Sequence, residues 1–64
     1  MREQLTREFC LHEIMKNNFH GMRIGLSTIN IMYDGLVEVT DWHGNMIIFG
    51  SLSKAIDAFI LINL

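Results

Sequence analysis

Sixty-four residues make one minimal domain, so 1–64 is read as a single compact unit and a second domain is excluded. Five Lys and Arg against seven Asp and Glu give a formal charge of -2, which sets up no strong field toward phosphate backbones or anionic membranes. The lone Cys10 excludes an internal disulfide, and neither a basic-then-apolar leader nor an apolar run of about 20 residues is present, so the expected location is cytoplasmic, with no membrane.

The chain opens on Met1 and is read as complete. From about Arg2 to His20 there is no Gly, no Pro and no β-branched run, and Glu3 stands one helical turn before Arg7, so this stretch reads as a first helix. Leu11, Met15 and Phe19 recur every fourth residue and are expected to form its buried stripe, with Leu5 nearby and Phe9 and Ile14 on the flanks. Gly21 follows as the expected left-handed terminator. Cys10 falls mid-helix, where a small buried apolar role is expected of it.

From Met22 to Tyr33 the period becomes two, first through Met22, Ile24 and Leu26, then through Ile29, Ile31 and Tyr33. The phase slips by one near Ser27 and Thr28. A β-bulge inside one strand and two short strands separated by a bend explain the slip equally well. Asp34-Gly35 suits a two-residue type I′ turn leading into a strand from Leu36 to Thr40. Asp41-Trp42-His43-Gly44-Asn45 is a second turn, Met46 to Phe49 a third strand, and Gly50-Ser51 ends the sheet. Ser51 or Ser53 can cap a last helix, whose stripe is Leu52, Ala55, Ile56, Phe59 and Ile60. The expected fold is α+β: helix, three-stranded antiparallel meander, helix, with the helices packed on a single layer of sheet.

A two-residue turn at Asp34-Gly35 sets Tyr33 opposite Leu36. One sheet face then collects Ile29, Ile31, Tyr33, Leu36, Ile47 and Phe49, and the other Met32, Val37, Val39, Met46 and Ile48. Two apolar faces need either one helix on each, or both helices on one face and another molecule on the second. Leu61, Ile62 and Leu64 lie off the main stripe of the last helix, leaving its end apolar nearly all round. A small core without disulfides often depends on association, so a homo-oligomer, most simply a twofold homodimer, is expected. The interface residues expected are Trp42, His43, Phe59, Ile60, Leu61 and Leu64. Trp42 can equally fold back to cap the core.

No catalytic chemistry and no cofactor is expected. Cys10, His12, His20 and His43 lack the paired spacing of a zinc site, so no metal is expected either. Cys10 is far from a helix N-terminus that would activate it, and the five glycines never form a phosphate-cradling loop. The helix-strand-strand-strand-helix order resembles that of double-stranded-RNA-binding domains, which contact phosphates through a lysine-rich start of the last helix. Here that turn offers only Lys54, so nucleic acid is not the expected partner. In layout alone the chain also resembles small phage-encoded anti-defence proteins. The function expected is a small protein-binding module, self-associating or docking on a host protein, as an inhibitor or regulator of the kind carried by phages or mobile elements. The alternative is a small nucleic-acid-binding or transcription-regulating dimer, favoured if Arg2, Arg7, Lys16, Arg23 and Lys54 share one face.

Overall fold

The computed structural model describes residues 5–64, and the expected Glu3–Arg7 pair and the start of the first helix at Arg2 lie partly outside them. Helix α1 spans Arg7–Lys16. Thr6 is extended and its hydroxyl accepts from Phe9 N–H at 3.1 Å, so the helix begins there. It stops earlier than His20 because Asn18 takes a left-handed φ of 60°. Phe19 N–H then reaches Ile14 O at 2.8 Å and Asn18 N–H reaches Met15 O at 3.1 Å, the paired bonds of a Schellman terminator. Asn18, not Gly21, ends the helix. Gly21 opens the first strand instead.

Four strands follow, not three: β1 (Gly21–Ile24), β2 (Ser27–Ile31), β3 (Val37–Thr40) and β4 (Met46–Phe49) form one antiparallel sheet in chain order. The phase slip is not a bulge: two short strands meet there, as the second reading has it, but a tight hairpin rather than an open bend joins them, so they pair. Gly25 has a φ of 59° and Leu26 does not turn positive, which is the type II′ pattern with Gly first. Ile24 then pairs with Ser27 and Met22 with Ile29. A two-residue loop sets even-numbered positions opposite odd-numbered ones, which is why the apolar set changes phase across it.

The second hairpin corrects the expected register. Its loop holds three residues, Tyr33, Asp34 and Gly35, because Met32 N–H bonds to Leu36 O at 2.9 Å and Gly35 N–H to Met32 O at 3.1 Å. Ile31 therefore pairs with Val37, and Ile29 with Val39. Tyr33 leaves the sheet and stands fully exposed. The third hairpin repeats this form through Trp42, His43 and Gly44, so Val37 pairs with Phe49 and Val39 with Ile47. One face thus collects Met22, Ile24, Ile29, Ile31, Val37, Val39, Ile47 and Phe49. The opposite face carries Arg23, Thr28, Asn30, Glu38 and Thr40, joined only at β4 by Met46 and Ile48. The sheet has one apolar face, the ordinary alternation for a half-exposed antiparallel sheet.

Both helices cover that apolar face. Helix α2 (Leu52–Ile62) lies across β2, β3 and β4, while α1 packs against β1 and α2. Ser51 caps α2 by accepting from Lys54 N–H at 3.2 Å. Its expected stripe holds: Ala55, Ile56 and Phe59 are buried, with Leu52 and Ile60 packed at the margin. Helix α1 contributes Cys10 and Ile14, whereas the expected stripe of Leu11, Met15 and Phe19 faces outward. Cys10 and Ile14 are one helical turn apart, and both are fully buried. The guanidinium of Arg7 bridges to Asp57 and to Ser53 Oγ at 2.8 Å, tying the two helices together at the surface.

Candidate protein interface

Thirteen large hydrophobic residues of the described chain stand more than a third exposed, against eight hydrophobic residues in the buried core. Their grouping, rather than their number, points to a site. The densest run is Met46, Ile47 and Ile48, at 53%, 57% and 50% exposure, in a strand that lies at the sheet edge.

The tip before β4 aims this strand. Asp41 N–H bonds to Asn45 O at 2.9 Å, and the Asp41 carboxylate accepts from His43 N–H and Asn45 N–H, each at 2.9 Å, and from Asn45 Nδ2 at 3.2 Å. The Asn45 N–H chiefly holds the Asp41 carboxyl below its usual range. Desolvation opposes it, and the Asn45 side chain, the His43 N–H and the His43 charge assist. Antiparallel pairs alternate between bonded and non-bonded. Starting from the Asp41–Asn45 bond, Ile47 and Phe49 point their backbone groups toward β3, and Met46 and Ile48 point theirs to the open edge. No charge, proline or bulge interrupts β4, which are the usual guards of an edge strand. The other edge, β1, carries Arg23 mid-strand and has α1 against it.

The expected interface residues separate. Phe59 is fully buried beneath the sheet and is corrected to a core residue, because its position on the α2 stripe faces inward. Ile60 is half-buried against the core, whereas Leu61 and Leu64 are 70% and 75% exposed. Ile62 also packs on the core, so the α2 end is less bare than its composition implies. His43 is exposed on the tip. Trp42 both caps and shows: its ring lies over Gly25, its indole N–H bonds to Asn63 Oδ1 at 3.0 Å, and 43% of the residue stays exposed. The missed residues are Met46, Ile47 and Ile48; the signal available for them was an uninterrupted apolar strand at the end of a meander.

A second, polar depression of about 690 Å³ lies where the end of α1 meets β1, lined by Lys16, Asn18, His20, Thr28, Asn30 and Glu38 among others. The described basic residues do not share a face: Arg7 is engaged with Asp57 between the helices, and Arg23 lies on the opposite side of the sheet. Among the described residues no three His, Cys, Asp or Glu gather closely enough to hold a metal, and no helix is long and apolar enough to cross a membrane. Comparison with protein-family models, with curated proteins and with solved structures returns no match.

Proposed function

We propose that this chain is a small non-catalytic protein-binding module, a regulator or inhibitor in kind, that docks through the β4 edge. The observation that carries the reading is the coincidence, in Met46–Ile48, of outward-facing backbone groups with exposed apolar side chains on both sides of the strand. A partner strand laid along β4 gains main-chain hydrogen bonds from Met46 and Ile48 and apolar contact from Ile47 and its neighbours, the mode of β-strand addition. The half-exposed Trp42 and the Leu61–Leu64 end are further surface of the kind interfaces use.

Hydrogen exchange tests the reading. The Met46 and Ile48 amides are expected to exchange quickly in dilute protein and to become protected when the partner is bound, while Ile47 stays protected throughout. Ile48→Lys, at an exposed position, should alter folding stability by no more than about 0.5 kcal/mol yet abolish that protection. Unchanged exchange at Met46 and Ile48 in a purified complex would refute docking at this edge.

A further inference from the structure

The occupant of the β4 edge follows from its symmetry. We infer that two copies of this chain join antiparallel along β4, about a twofold axis passing between the two Ile47 residues, into one continuous sheet. This inference rests on the reading of β4 as the docking edge and names its partner.

Pleat and hydrogen bonding restrict the register. Residues opposite each other across an antiparallel pair share a sheet face, so a twofold axis normal to the sheet must pass through a residue position and not between two. Set at Ile47, it opposes Ile47 to its own copy on the helix-covered face. It also opposes Met46 to Ile48 of the second copy on the open face, twice over. The three exposed residues of the strand then meet only one another. The same register makes Met46 and Ile48 a bonded pair, and these are the two residues whose N–H and C=O point outward. An axis at Ile48 is poorer, since it sets exposed Met46 against Gly50.

Charge permits the match. No charged side chain lies between Asn45 and Ser51, so two copies meet along β4 without like-charge contact despite the net charge of -2. The open face beyond β4 offers Thr40 and Glu38 on β3, which stay solvated at one strand's distance. The strand is short, and pairing of this extent falls below the usual size of a stable interface, so a dissociation constant on the order of 1–100 µM is expected.

Sedimentation of the whole chain across a dilution series should show monomer passing to dimer. Ile47→Lys places two ammonium groups against each other at the axis and is expected to weaken association about a hundredfold, with the circular dichroism of the monomer retained. Ile47→Cys should form an intermolecular disulfide under mild oxidation, because non-bonded antiparallel pairs bring Cα atoms to about 4.5 Å. Leu61→Cys should not, and buried Cys10 takes no part. If Ile47→Lys fails to fold, the Ile47→Cys cross-link decides. A monomer at every concentration overturns the homodimer, and so does a dimer that survives Ile47→Lys. A monomer whose Met46 and Ile48 amides are protected by a different protein overturns the homodimer while leaving the docking edge in place.

Discussion

The indole N–H of Trp42 donates to the side-chain oxygen of Asn63, 3.0 Å away, and so fastens the tip between β3 and β4 to the C-terminal cap of α2. Asn63 also donates from Nδ2 to Phe59 O at 2.8 Å, and its Oδ1 lies 2.9 Å from the buried Ser27 hydroxyl. One amide thereby joins the first hairpin, the third hairpin and the last helix. Asn63→Ala should lower the unfolding free energy by about 1–3 kcal/mol, because it takes the acceptor from the part-buried Trp42 indole N–H, whereas the Ser27 hydroxyl keeps Ile24 O at 2.8 Å. Urea unfolding of Asn63→Ala, Trp42→Phe and the double variant checks this, with the double expected to fall short of the sum.

The same Trp42 ring sets the tolerance of the first hairpin. A Cβ at Gly25 would lie 2.3 Å from Trp42 Cη2 on a backbone whose φ is 59°. At Gly35, with φ 89°, a Cβ meets nothing within 4 Å. Gly35→Ala should show the conformational penalty alone, about 1–2 kcal/mol, and Gly25→Ala a larger loss together with a changed tryptophan fluorescence. Equal losses in thermal unfolding would contradict the contact.

Cys10 should be chemically silent in the folded chain. It is fully buried, and burial pushes its thiol pKa up against a smaller lowering by Arg7. Thiol reagents are expected to modify it at the rate of unfolding, so labelling should accelerate in parallel with denaturant-induced opening. Fast labelling in buffer at neutral pH would show the thiol to be accessible.

Asp41 gives the tip an acid limit. Its folded pKa is depressed, so its contribution is present above the usual carboxylate range near about 3.9 and is lost as pH falls through the folded value. Asp41→Asn keeps one acceptor oxygen but removes the charge. The stability difference between native chain and variant should be full at neutral pH and shrink in acid. A difference independent of pH would assign the effect to geometry alone.

The sequence made the local elements legible wherever one residue type carries one meaning. A serine cap at Ser51 or Ser53, the α2 stripe and the burial of Cys10 were all readable for that reason. The sheet was harder because loop length is a discrete choice that Asp34-Gly35 does not declare: the pair serves a two-residue turn and also the end of a three-residue one. The shorter reading turned Val37 and Val39 to the wrong face and created a second apolar surface that the fold lacks. The fourth strand stood only as one of two equal readings, since Gly25-Leu26 carries a weaker turn signal than Asp-Gly. In α1 the regular spacing of Leu11, Met15 and Phe19 outweighed the shorter Cys10–Ile14 line, although it is the shorter line that the fold buries. The candidate site was legible only as surplus apolar surface; its place at β4 depended on the register.

The three-residue loop from Tyr33 to Gly35 separates two kinds of evolutionary change. The side chain of Tyr33 can vary freely in chemistry, as its full exposure indicates, while Gly35 is held by its left-handed backbone. The length of the loop is far less free, since β3 and β4 inherit their inside and outside from it. Losing a single residue there would carry Val37 and Val39 out to water and Glu38 in beneath α2, and the whole second half of the sheet with them. Descendants of this chain should therefore show abundant substitution at Tyr33 and almost no insertion or deletion beside it.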